Sequence, residues 1–307
     1  MRTGESVMES RQAGILRLCI ILAFFSVSIY FLNNNKKIIT ATHIDVVSCK
    51  VDPIITLSLD QAYETLNSLF LAHDIDLIVK VMSQFKFHFV YDLAERMIND
   101  HKIALNSEEK INVLYGVVAH CNCKKNVQYD LLDLLLKYPN LYKQTPVLLT
   151  LAKSKYTDLI PLFITWGKER QKNGKAPKDF LASSAERAFV VAVNDDDYQA
   201  IEQLFSKKVR LSQEKASSLL WYVVEQGKNS QLMNLLIRHA QADVNHTRYG
   251  KTLLIAAVEK NNIESIRILL DAGAVVDRVS KNGTALHVAM KYHYHFAEQL
   301  LREYGAA

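Results

Sequence analysis

The stretch that decides the fold is GKTLLIAAVEKNNIESIRILLDAGAVVD, residues 250–277, together with GTALHVAMKYHYHFAEQLLREYGAA, residues 283–307. Laid one on the other, Thr252 meets Thr284 at a spacing of 32 residues. Each copy then runs through small and branched apolar residues, a polar break, a second apolar run and a glycine. Thr252 and Thr284 suit the N-cap of a short helix, because their hydroxyls can accept from an amide left free in the first turn. Leu254, Ala257 and Val258 form that helix's apolar stripe, and Asn261 and Asn262 break it. Ile263, Ile266, Ile268, Leu269 and Leu270 supply a second helix, which Gly273 closes in a left-handed cap. One such pair cannot bury both of its faces. Stacked copies can, so the pattern predicts an all-α solenoid of helix pairs.

Weaker copies lie upstream. SLLWYVVEQGKNSQLMNLLIRHAQADVN, residues 218–245, repeats the helix pair one unit earlier. RAFVVAVNDDDYQAIEQLFSK (187–207), TPVLLTLAKSKYTDLIPLFITWG (145–167) and LYGVVAHCNCKKNVQYDLLDLLLKYPN (114–140) keep the outline with more departures. Pro161, inside an expected second helix, is placed to distort it. GKERQKNGKAPK, residues 167–178, reads as a basic exposed loop between repeats, or as a contact for anionic lipid or an acidic partner. The resulting division is a tail 1–14, an apolar segment 15–32, a linker 33–56, a helical region 57–111 suited to capping the stack, degenerate repeats 112–178 and clear repeats 179–307. Only ten glycines and five prolines in 307 residues agree with a helical chain, since sheets and phosphate-binding folds need more turn residues.

The segments TLLIAAVEKNNIESIRILLDAGAVVD and TALHVAMKYHYHFAEQLLREYG resemble the ankyrin repeat. In the second, Thr284, Leu286, His287 and Ala289 match the family's Thr-Pro-Leu-His-x-Ala signature, with Ala285 in place of proline. In the first, Leu253 and Ile255 replace the proline and the histidine. The resemblance implies a structural tie between His287 and Thr284, and protein binding through hairpin tips and first helices. On this chain the tips are His246–Tyr249 and Arg278–Asn282, including Lys281 and Asn282, and the first-helix positions are Glu259, Lys260, Lys291 and Tyr292. Arg248 and Tyr249 are the preferred anchors, because arginine and tyrosine are the residue types that most often dominate interfaces. Tyr249 packed between neighbouring tips is the alternative reading. The richness in Lys, Asn and Ile also resembles the ankyrin proteins of intracellular bacteria, which leaves a host-directed effector open.

No catalytic pattern accompanies the repeats. Phosphate loops, Gly-x-Ser-x-Gly, His-Glu-x-x-His and kinase signatures are missing from the sequence. Cys121 and Cys123 have no second pair to complete a zinc site. Asp195, Asp196 and Asp197 fall where an inter-helix turn belongs, which favours a solvated turn over a cation site. His293 and His295 also fall around a turn, away from His287, and do not suit a three-histidine metal centre. A net charge of +5 is too small for a nucleic-acid footprint. The reading is therefore a non-enzymatic, monomeric protein binder without metal or cofactor. The alternatives are an exported soluble binder, or an effector with an unrecognised activity in residues 57–111.

Ile15–Leu32, ILRLCIILAFFSVSIYFL, would span about 27 Å as a helix, close to the thickness of a bilayer's hydrocarbon. Arg17 can snorkel at one end, Tyr30 suits the other interface, and the polar NNNKK follows at once. A transmembrane anchor is the leading expectation. A signal peptide cleaved near Ser26 or Ser28, and a buried helix, also fit the segment. Arg2, Arg11 and Arg17 face Lys36 and Lys37 across the segment, so its orientation is nearly balanced.

Overall fold

The computed structural model describes residues 58–83, 85, 87–100, 102–120, 124–281 and 283–307. The chain divides into two compact units, residues 1–62 and 63–307. Only the first turn of helix α1 (Leu59–Ala72) belongs to the described part of the first unit. The segment Ile15–Leu32 lies outside the described residues, and among those no helix is long and apolar enough to cross a membrane. Asn282, Cys121 and Cys123 also lie outside them.

The second unit continues with α2 (Ile75–Met82), α3 (Phe87–Asn99), α4 (Ser107–His120), α5 (Lys125–Lys137), α6 (Pro139–Gln144), α7 (Val147–Lys153), α8 (Ile160–Lys172), α9 (Phe180–Asn194) and α10 (Tyr198–Ser206). It closes with α11 (Gln213–Gln226), α12 (Ser230–Ala240), the strands β1 (Thr247–Arg248) and β2 (Lys251–Thr252), α13 (Leu253–Glu259), α14 (Ile263–Asp271), α15 (Ala285–Lys291) and α16 (His295–Glu303). First helices stack on first helices, α2 on α4, then α7, α9, α11, α13 and α15. Second helices form a parallel layer, α3 on α5 on α8, and α10 on α12 on α14 on α16.

Local chemistry sets each unit. Thr252 Oγ1 accepts from the Ile255 amide at 3.1 Å, and Thr284 Oγ1 accepts from the His287 amide at 3.2 Å. Leu253 to Val258 are all buried, so α13 is held by packing on every side rather than by its own seven residues. Asn262 caps α14 through the Ser265 amide at 3.0 Å, and Asp197 caps α10 through the Ala200 amide at 3.0 Å. α14 then ends as the sequence predicts: Gly273 takes φ +86° and the Ala274 amide returns to the Leu269 carbonyl at 2.9 Å.

The same closing device recurs where no glycine marks it. After the first helices, Asp196, Asn261 and His293 take φ of +55°, +49° and +56°, in register with Gly227. In each case the next amide reaches back into the helix: Asp197 to Ala192, Asn262 to Ala257 and Tyr294 to Ala289, at 2.9, 3.1 and 2.9 Å. After the second helices, Lys208 and Gln241 hold the place of Gly273 with φ of +63° and +53°. His293 is therefore a turn residue, as expected. His295 departs slightly from expectation, since it opens α16 rather than lying in the turn.

Three of the upstream first helices are longer. α4, α9 and α11 run for 14, 15 and 14 residues where α13 and α15 run for 7. Aromatic rings fill the wider seam: Phe163 lies 5.2 Å from Trp166 and 6.4 Å from Tyr115, and Phe180 lies 5.7 Å from Trp166. Two expectations change in this region. Residues 167–172 of the basic stretch are the end of α8, not a loop, because the side of α8 that carries Gly167 and Arg170 is buried. Arg170 makes a two-toothed contact with Asp133 of α5, Nε to Oδ1 at 2.7 Å and Nη2 to Oδ2 at 3.0 Å, and Trp166 Nε1 shares Oδ1 at 2.8 Å. Pro161 does not distort its helix. It occupies the first turn of α8, where its missing N–H has no partner to lose.

The acidic triplet does sit in a turn, and it also joins neighbouring units. Lys153 of α7 reaches Asp197 at 3.0 Å, and Lys228, after α11, reaches Asp196 at 3.1 Å. Burial raises the Asp197 pKa, but the Ala200 amide and Lys153 outweigh it and leave the carboxyl below its ordinary range.

Candidate partner-binding surface

The hairpin β1–β2 pairs Thr247 with Thr252 and Arg248 with Lys251, so Tyr249 and Gly250 form a two-residue loop. Both take positive φ, +55° and +76°, which is the geometry of a type I′ turn. Glycine accepts this freely, whereas a tyrosine does so under strain. Tyr249 is 79% exposed, so it does not pack between neighbouring tips. The Arg248 guanidinium lies 5.1 Å from its ring centre and completes an exposed cation–π pair.

The next tip approaches this one through Lys281, whose stem lies beside Gly250, where a Cβ would come within 3.6 Å of Cε. Asn245 ties the two units together. Its Oδ1 accepts from the Val275 amide at 2.8 Å, and its carbonyl accepts from Arg278 at 2.9 Å. Arg278 is thus occupied, while Arg248 and Lys281 have no ion-pair partner among the described residues. Val279, 73% exposed, adds an apolar neighbour that the sequence pattern did not single out.

The remaining candidates lie at the other end of the first helices. Lys260 and Tyr292 are the C-caps of α13 and α15, about 10 Å from the tips at roughly 1.5 Å per residue. The candidates therefore form two separate groups. Lys291 sits 5.5 Å from the Tyr292 ring, and Tyr294 stacks on Tyr292 at 5.7 Å. Tyr294 was missed, although tyrosines flanking a left-handed turn residue on both sides were a readable signal. Glu259 accepts from Lys251 at 2.8 Å, which ties the start of α13 to its end and makes Glu259 a strut.

His287 meets Thr284, but through its backbone amide and not its ring. The exposed imidazole instead lies over Gly283, where a Cβ would sit 3.1 Å from its Cβ and Cγ. Among the described residues no group of three His, Cys, Asp or Glu is placed to hold a metal.

The helices of residues 59–111 use their polar groups to join one another. Lys110 Nζ donates to the Ile98 and Asp100 carbonyls at 3.3 and 2.8 Å, and burial lowers its pKa. Tyr63 donates to Asp100 at 3.0 Å, and burial together with that bond raises the phenol's pKa. Glu95 is held below the usual carboxylate range, chiefly by its contact with Lys137, assisted by Tyr138 at 2.8 Å.

Helix pairs stacked in two layers, with the hairpin at one edge, define a solenoid. The family model described as "Ankyrin repeats (3 copies)" matches residues 188–280 and, overlapping them, residues 220–307. Residues 188–307 therefore carry ankyrin repeats. A search of curated proteins finds no match to it.

Proposed function

We propose that this protein captures a protein partner on the tip surface formed by Arg248, Tyr249 and Lys281, without chemistry of its own. The exposed cation–π pair on a strained tip carries this reading: the fold gains little packing from Tyr249, and an amphipathic ring beside a guanidinium is a typical interface anchor. Lys260, Lys291 and Tyr292 form a second contact row for a partner long enough to follow the first helices. The family match supports a binding role, since ankyrin repeats generally bind proteins. Ile15–Leu32 anchors the protein to a membrane and concentrates the solenoid there as a monomer, with no nucleic acid involved. The apolar length of that segment and the polar stop after it support this part of the proposal.

Proximity labelling from the full-length protein in cells, compared with an Arg248→Ser/Tyr249→Ser variant of equal abundance, tests the reading. The expected result is a small set of membrane-associated proteins labelled by the wild type and lost in the variant. An identical set from both rejects the tip, and a set without membrane proteins rejects the anchor.

A further inference from the structure

Upstream of the family match, α6, the turn at residues 173–179 and the start of α9 enclose a hollow of about 260 Å³. Both α6 and this turn are connections that lead into a first helix, so the hollow opens on the edge of the stack that carries the hairpin at 247–252 further along. Its walls combine aromatic and proline surface with polar and charged side chains. Tyr142 and Phe180 meet edge to face at 5.3 Å, and Pro146 and Pro177 line it without a backbone donor. Gln171 holds the Pro177 wall in place through that residue's carbonyl at 3.1 Å, so the hollow is preformed.

Its charge is unbalanced. Arg187, half-buried, donates Nη1 to the Tyr142 carbonyl at 3.2 Å and has no carboxylate partner among the described residues. Lys143 at the rim likewise has none. Several other cations of the stack are neutralised, Arg170 by Asp133, Lys153 by Asp197, Lys207 by Asp158 and Lys215 by Glu186. Glu186, next to Arg187, is the group used by Lys215. Asp179 lies at the rim outside ion-pair range of both free cations, so the walls carry two positive charges against one negative.

A guanidinium with free donors above aromatic and proline walls matches a carboxylate carried on an apolar segment. The volume falls just under the roughly 300–1,000 Å³ of pockets that enclose whole small molecules, so it suits a single side chain. We infer that this hollow is a socket for an acidic anchor side chain of an extended partner peptide, with Arg187 as its principal contact and Lys143 as its outer one. It is separate from the tip surface at residues 248–281.

The probe is a fluorescein-labelled, end-blocked peptide of alternating Glu and Leu, with the matched Gln and Leu peptide as control. Fluorescence anisotropy follows binding to the full-length protein. The acidic peptide should bind, and Arg187→Gln should weaken it at least about tenfold, the scale of one lost charge-assisted hydrogen bond. Ser183→Phe, made at an exposed wall position, should abolish binding by filling the hollow while the helical circular dichroism stays unchanged. Arg248→Ser/Tyr249→Ser should bind the peptide as the wild type does, which separates failure of the tip reading from failure of this one. Equal binding of the Gln peptide, wild-type affinity in both pocket variants, or no binding of the acidic peptide by about 1 mM would each overturn the socket.

Discussion

Replacing Tyr249 by Asn separates a binding anchor from a packing residue, because the two roles give free energies of different size. With 79% of its surface exposed, the side chain covers only about a fifth of the roughly 200 Å² that a buried tyrosine hides. At about 25 cal/mol per Å² that contact stabilises the fold by at most about 1 kcal/mol, part of which Asn retains. The exposed cation–π pair with Arg248 adds about 0.5 kcal/mol. Against these stands the left-handed conformation at φ +55°, which costs an ordinary L-residue about 1–2 kcal/mol and which Asn tolerates. The terms offset, so Tyr249→Asn should leave stability within about 0.5 kcal/mol of wild type. Tyr249→Ala loses the same ring but keeps the backbone strain, and should be less stable than the Asn variant by about 1 kcal/mol. Equilibrium urea unfolding followed by far-UV circular dichroism measures both, provided the slope is shared. A loss above about 2 kcal/mol in the Asn variant would show that the ring is packed between tips. Equal stability of the Asn and Ala variants would show that the tip is unstrained.

Two further outcomes test the stack itself. Asp133→Ala leaves the Arg170 guanidinium, whose side chain is only 10% exposed, with only the looser Glu169 contact at 3.6 Å, and should cost about 2 kcal/mol once the 29% exposure of Asp133 is discounted. Adding Arg170→Met should recover part of that loss in the urea midpoint, and a double variant no better than the single one would refute the charge-burial account. Asp197 and Glu95 titrate below their ordinary values in the fold, so the unfolded chain takes up their protons first. Their contribution is complete above the ordinary carboxylate range and fades as pH falls through the lower folded values. The urea midpoint should therefore hold steady from about pH 7 to 5 and drop below about pH 4. Asp197→Asn, which keeps an acceptor for the Ala200 amide, should lessen that drop, and an unchanged acid profile would remove Asp197 from the account.

What the sequence made legible follows from the range of the interactions that encode it. The C-terminal units announce themselves through local chemistry: Thr252 and Thr284 each cap a helix three residues on, and Gly273 closes one three residues back. Upstream the backbone performs the same closures with Asp196, Lys208 and Gln241, so the structure repeats where the letters do not. These residues carry left-handed strain that tertiary packing offsets, and a pattern of residue types cannot register it. The aromatic seam of Tyr115, Phe163, Trp166 and Phe180 has the same consequence, because it substitutes size for the small residues on which the repeat pattern depends. Charge misled in a related way. The run Lys168, Arg170, Lys172 has the composition of a loop, yet Arg170 folds inward to an aspartate 37 residues away. The candidate surface divides along the same line. Arg248 and Tyr249 are neighbours in sequence and could be read as a pair. Arg187 and Tyr142 are 45 residues apart, and only the approach of α6 to α9 makes them walls of one hollow. In a solenoid, recognition built within one connection is written in the sequence, and recognition built between connections becomes visible only once the register of the stack is known.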